Sequence, residues 1–283
     1  MGALALALVA ASCWGLGDFV AGLQARARSA AAVVALSQLV GLAILVGVVA
    51  IATPPAPSGE DAVAAAIAGL AVAAAMVALY HGLATGPMSV VAPLSATGAG
   101  LAAIVSLVDG DRPAAAQLAG MAVALIGVIV ITSRAEHGGG VTRPVVGGGV
   151  ALGVVAAISF GVYYVAMERA AAGGVLQALT IARAAGVCGL ALLLLGASKG
   201  RRPRRSPGGL WPLIAIGLLD MAANAGYALA STLGSLGVVA VLASLYPAVT
   251  VLLAAALLRE KMPALRVAGA IGVFAGVALM VAG

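Results

Sequence analysis

The sequence predicts an all-α integral membrane protein, with ten transmembrane helices arranged as two inverted-topology five-helix repeats. Three observations predict it. First, the 283 residues are 63% hydrophobic and 8% charged, with a mean hydropathy of +1.18, whereas a soluble domain is about half apolar and a quarter charged. Second, the apolar segments run unbroken for about 20 residues, the length a helix needs to cross hydrocarbon, and do not alternate as barrel strands would. Third, the second half of the chain echoes the first.

The echo is clearest near the C-terminus. Leu245–Gly283 reads as two apolar helices joined by Arg259, Glu260 and Lys261, with Pro263 opening the second helix, where a missing N–H costs least. Val90–Ile131 has the same plan, with Pro93 in its first helix and Asp109, Gly110, Asp111, Arg112 and Pro113 at the turn. Ala119-Gly120 and Gly127-Val128 match Ala268-Gly269 and Gly276-Val277 at one offset of 149. Such glycines let neighbouring helices approach closely. Further back, Tyr80 matches Tyr227, and Ser12-Cys13-Trp14-Gly15 resembles Ile158-Ser159-Phe160-Gly161. The halves are residues 1–135 and 144–283.

In chain order the expected spans are roughly 3–22, 31–51, 62–83, 88–108, 114–132, 146–167, 175–197, 211–232, 236–258 and 264–282. The first has no basic flank before it, so it reads as a span and not as a cleaved signal. Thr53–Asp61 is a proline-rich turn, the stretch with Gly138, Gly139 and Gly140 is the joint between halves, and Lys199–Gly209 is a basic loop. Cys13 and Cys188 fall inside apolar segments and lack metal-ligand spacing, so both are expected as buried small apolar residues.

Five spans per half is odd, so the second half enters the membrane from the opposite side, a plan of many secondary transporters. Ten spans put both ends of the chain on one side. Loops after odd-numbered spans carry twelve of the fifteen Lys and Arg residues. That asymmetry places those loops in the cytoplasm. It also makes the net charge of +6 a topology signal, with no nucleic acid implied.

These residues resemble the EamA-type transporters of the drug/metabolite transporter (DMT) superfamily. The match rests on LYPAVTVLLAAALLREKMP followed by VAGAIGVFAGVAL, the echo of both in the first half, and Trp14-Gly15 in the first span. It extends over essentially the whole chain. The resemblance implies a 5+5 inverted repeat. It also implies export of small metabolites, amino-acid-like or toxic organic solutes, across the inner (plasma) membrane by alternating access. Asp111-Arg112 stands where the second half has Glu260-Lys261, so the first turn departs from the pattern. Many relatives hold both termini in the cytoplasm, against the charge count.

Ionisable residues inside a span are costly and usually face the bundle interior. Asp18 lies one turn after Trp14 on the same helix face, as a coupling carboxylate beneath an aromatic wall or as an acid reaching headgroups. Arg183 resembles an arginine that relatives often carry in the second span of a repeat, and Gln38 is its counterpart in the first half. It would bind a substrate carboxylate, pair with an internal acid, or snorkel. Asp220 and Asn224 share a face at i, i+4 and, with Tyr80, His81 and Tyr227, make a polar wall for a central cavity, or else His81 is an interfacial histidine and Asn224 only bonds across helices. Tyr163, Tyr164 and Tyr246 line that cavity or anchor at the interface. Pro93 and Pro247 are gating hinges or static kinks. The cavity is expected between spans one, three, four, six, eight and nine.

Two strings mimic an esterase: His137-Gly138-Gly139-Gly140 and Gly196-Ala197-Ser198-Lys199-Gly200. That chemistry needs a strand–turn–helix elbow and a histidine after the serine, and none follows position 137. No P-loop is present for direct ATP use. The expected protein is therefore no enzyme and takes no cofactor or metal. Its partners are a small-molecule solute and the lipid bilayer, and it acts as monomer or homodimer. Proton coupling fits the internal acids. The competing reading is a flippase for a lipid carrier.

Overall fold

A computed structural model describes residues 1–25, 30–85, 94–132, 146–197, 209–257 and 262–283. Pro93, the triple-glycine joint, the basic loop and the Arg259, Glu260, Lys261 turn lie outside the described residues, as does the Tyr80 side chain. The elements are α1 (Gly2–Ala25), α2 (Ala30–Ala52), α3 (Gly59–Thr85), α4 (Gly98–Val108), α5 (Ala115–Thr132), α6 (Val146–Ala172), α7 (Val175–Ala197), α8 (Trp211–Ser231), α9 (Leu236–Ala243), α10 (Tyr246–Leu257) and α11 (Ala264–Ala282). No strand occurs among the described residues. Eight helical segments are long and apolar enough to cross a membrane, the stretch Leu236–Leu257 counting as one, and Leu94–Val108 and Ala115–Ile131 are shorter apolar helices.

Local chemistry sets the ends. Ser58 caps α3: its Oγ accepts from the Asp61 N–H at 3.1 Å and donates to the Asp61 carboxylate at 2.6 Å. Pro212 lies in the first turn of α8, where no N–H is needed. After α4, Gly110 takes φ +101°, and the Asp111 and Gly110 N–H groups close back on the Ser106 and Leu107 carbonyls.

The bundle is apolar outside as well as inside. Val46, Val63, Ile104, Ile126, Ile158, Ile271 and Phe274 are all exposed. The buried polar residues, by contrast, are Arg183, Asn224 and five serines among the described residues. That distribution suits hydrocarbon as the solvent. It also corrects the cysteine expectation: Cys188 is exposed and Cys13 half-buried, because an apolar helix facing lipid has no polar outer side.

Helices pack in pairs that exchange halves. α1 packs on α8 as α6 packs on α3; α2 packs on α8 as α7 on α3; α1 packs on α10 as α6 on α4. α2 meets α7, and α5 meets α11, each helix with its own counterpart. The α5–α11 pair is antiparallel. A Cβ on Gly120 would fall 2.7 Å from the Gly276 carbonyl oxygen, and one on Gly127 2.9 Å from that of Gly269. These are the four glycines of the 149-residue repeat, each pressed against the counterpart of the other: the offset pairs Gly120 with Gly269 and Gly127 with Gly276, and the antiparallel crossing swaps them.

Pro247 is a correction. It does not kink a continuous span. The helix breaks at Ser244-Leu245, and Pro247 sits in the first turn of α10, where its missing N–H leaves no bond unmade. All eight residues of α9 are buried. The Asp111 carboxylate accepts from Ser106 Oγ at 2.5 Å and from Ser235 Oγ at 2.9 Å, next to the start of α9. This ties the first half to the second at the end of the bundle that holds Met1.

Candidate functional site

The two buried polar residues that are not serines, Arg183 and Asn224, belong to one polar chain across the bundle. Tyr163 on α6 donates its hydroxyl to Asn224 Oδ1 at 2.6 Å. Asn224 Nδ2 donates to Asp220 Oδ1 one turn back on α8 at 3.0 Å. Asp220 Oδ2 lies 2.6 Å from Arg183 Nη2, an ion pair between α8 and α7. That oxygen is buried and the pair is not aligned as a hydrogen bond, so charge attraction holds it. Arg183 Nη1 donates to Gln38 Oε1 on α2. The Arg183 side chain is 7% exposed and that of Asp220 25%.

Small residues make room for this chain. Gly69 of α3 lies against the backbone of Ala182, and Gly217 of α8 against that of Ser37. A Cβ on Gly41 would fall 2.8 Å from Met221 Sδ and 3.3 Å from the Arg183 guanidinium carbon. Arg183 Nη2 also reaches Met221 Sδ at 3.1 Å. Helices that approach this closely can place a cation, an acid and two amides at one level.

An aromatic cluster stands beside it. Trp14 has ring centroids of Tyr163, Tyr227 and Tyr246 at 6.3, 6.2 and 6.3 Å. Tyr164 and Tyr227 lie 5.0 Å apart, and the Tyr227 hydroxyl donates to the Tyr164 carbonyl at 2.8 Å. Tyr163, Tyr164 and Tyr227 are buried, while Trp14 and Tyr246 keep partial exposure. Thr250 Oγ1 donates to the Gly15 carbonyl at 3.0 Å, fixing α10 to α1 next to Trp14.

The charged chain and the aromatic cluster, except Tyr227, which is fully buried behind it, line one cleft of three lobes, all meeting at Gln38, Met76 and Asp220. The aromatic lobe holds about 520 Å³ of space free of protein atoms, counting the part open to solvent. It is lined by Trp14, Asp18, Phe160, Tyr163, Tyr164 and Tyr246, with Leu79, Val72 and Asn224. Asp18 is half-buried and lines two of the lobes.

Most residues expected at the site are therefore together: Trp14, Asp18, Tyr164, Arg183, Asp220, Asn224, Tyr227 and Tyr246. His81 is exposed and is not among the residues that line the three lobes. The expected set of spans needs correction as well. α2 and α7 supply Gln38 and Arg183, and no described residue of α4 lines the cleft. Sequence reasoning passed over Met76 and Val72, apolar residues with nothing to distinguish them from lipid-facing neighbours, and over Phe160, which carried a signal as the repeat counterpart of Trp14. Gln38 carried a signal, as the repeat counterpart of Arg183.

Comparison with known proteins follows the same lines. The model of the EamA-like transporter family matches residues 1–133 and again 147–282. The chain belongs to the EamA-like transporter family. It is an EamA-type membrane transporter of small solutes, multi-pass, within the DMT superfamily. A solved structure described only as "Crystal structure of protein" shares its fold, with TM-score 0.75 and 18% identity over 98% of this chain and 95% of that one. No curated protein matches this transporter by sequence.

Proposed function

We propose that this EamA-family protein is a secondary transporter that exports small metabolites, amino-acid-like or toxic organic solutes, across the inner (plasma) membrane by alternating access. It works through ten spans in two inverted halves, residues 1–135 and 144–283, as a monomer or homodimer. The observation that carries the reading is the cleft: both halves line it, and it holds charged and aromatic side chains inside a bundle of apolar helices. Substrate sites of secondary transporters lie at such repeat interfaces near the bilayer midplane.

The ten-span inverted plan is supported by the exchange of packing partners between halves and by the antiparallel α5–α11 contact, in which each repeated glycine meets the other's counterpart. α4 with Leu94–Ala96, and α5, are the shorter spans. The lysine and arginine bias supports an orientation with the basic loops in the cytoplasm, and the export direction rests on the family resemblance alone. Asp18 and Asp220 are the acids available for proton coupling.

The test is reconstitution in liposomes with imposed pH and solute gradients and a panel of amines, amino acids and aromatic acids. Saturable flux of at least one solute supports the reading. Folded protein that moves none of them, but scrambles a labelled lipid carrier, replaces it with the flippase.

A further inference from the structure

We propose that the aromatic lobe of the cleft selects organic amines in their cationic form, and in particular arylalkylamines, with Asp18 as the counter-charge. The inference rests on the cleft being the solute path of the transporter described above and names the class of solute it takes.

The first argument is charge accounting. The charged side chains lining the three lobes are Asp18, Asp220 and Arg183 among the described residues. Arg183 is spent within the protein. Asp220, Gln38 and Met221 surround its guanidinium, and it is 8% exposed. Among the described residues, Asp18 has no cationic side chain within ion-pair distance. With both acids ionised the cleft carries one net negative charge, and that charge sits on Asp18. A carboxylate in such a setting calls for a proton or a cation beside it. A solute carboxylate, in contrast, would find Arg183 occupied and meet Asp18 with like charge.

The second argument is the wall around Asp18. Trp14 precedes it by four residues, so the two share a helix face about 6 Å apart along the axis, at about 1.5 Å per residue. Trp14, Phe160 and Tyr246 are the half-buried aromatic residues of this lobe. Aromatic faces attract cations and stack on flat rings. A solute with its ring against Trp14 and its ammonium one helical turn away at Asp18 satisfies both groups. An ethylamine tether spans that distance.

The chemistry ranks three probes that share one ring. Phenethylammonium carries only the cation, L-phenylalanine adds a carboxylate, and 3-phenylpropionate carries only the carboxylate. The protein has two tryptophans, and Trp211 is exposed at the start of α8, away from the cleft. Trp211→Phe therefore leaves Trp14 as the fluorescent reporter. In lipid nanodiscs, phenethylammonium is expected to shift Trp14 emission saturably and to bind about tenfold or more tighter than the other two probes, the size of a charged hydrogen bond. Calorimetry on the unsubstituted protein gives the same order. Asp18→Asn removes the preference, and Asp18→Glu keeps it.

Equal or tighter binding of L-phenylalanine or 3-phenylpropionate overturns the inference. So does unchanged phenethylammonium binding in Asp18→Asn, or no binding of the amine at all. If Asp18→Asn does not fold, the ranking of probes on the parent and on Asp18→Glu still decides. Liposome flux separates this from the broader reading: transport of acids or neutral solutes without amines sinks the inference alone, whereas amine binding without flux of any solute sinks the transporter reading alone.

Discussion

Arg183 and Gln38 hold matching places in the two halves of the chain, and in the folded protein the first donates a hydrogen bond to the second. Counterparts that touch must lie where the halves meet. The same arginine pairs with Asp220 on the neighbouring helix at 2.6 Å. The cleft is therefore built around an asymmetric contact: one half offers a cation, the other an amide.

Breaking the Arg183–Asp220 pair leaves one charge in an apolar bundle. Arg183→Gln and Asp220→Asn are each expected to lower the unfolding temperature, by less than the roughly 3–5 kcal/mol typical of fully buried pairs, since Asp220 keeps a quarter of its side-chain surface. The double variant is expected to lose less than the two single losses together, because no orphan charge remains. Thermal shift in detergent measures all three. Additive losses would show that the pair is not coupled.

Tyr227→Phe removes the hydroxyl that the buried Tyr164 carbonyl accepts. The ring contacts stay. The expected cost is about 1 kcal/mol, read as a small drop in unfolding temperature with solute affinity unchanged.

The α5–α11 crossing allows no side chain at Gly120, where an added Cβ would meet the Gly276 carbonyl. Gly120→Leu is expected to destabilise strongly. Gly100→Ala has open space around it and lies inside α4. It is expected to be neutral or to stabilise by about 0.5–1 kcal/mol through helix propensity. Comparing the two by thermal shift tests close packing directly.

Asp111→Ala deprives Ser106 and Ser235 of their shared acceptor beside the start of α9. It is expected to cost about 1–3 kcal/mol and to loosen that end of the bundle. Asp111→Asn, which keeps an acceptor, should cost less. Hydrogen exchange of the α9 amides reads the difference.

The sequence made the helices legible, because twenty apolar residues in a row leave hydrocarbon few alternatives. It also made the repeat legible through glycines at a fixed offset, and Asp220 and Asn224 as one wall through their spacing. Which way an apolar helix faces was not legible. Outside and inside of this bundle are both apolar, so Cys188 and Met76 look alike in sequence, yet the first is exposed and the second lines the cleft. The Tyr163–Asn224 bond joins residues 61 apart and the Arg183–Gln38 bond residues 145 apart, and no local pattern encodes either. Pro247 marked the right place for a break, but its position in a first turn only became clear once α9 and α10 were seen as separate helices.

The central claim is that the cleft opens to each side of the membrane in turn. Met76 lines all three lobes and takes no part in the polar chain. Met76→Cys, in a background with Cys13→Ala and Cys188→Ala, can be challenged with a membrane-impermeant maleimide from one face of oriented liposomes at a time. The account predicts labelling from either face, slowed by bound solute on both. Labelling from one face only, in protein that still moves solute, would contradict it.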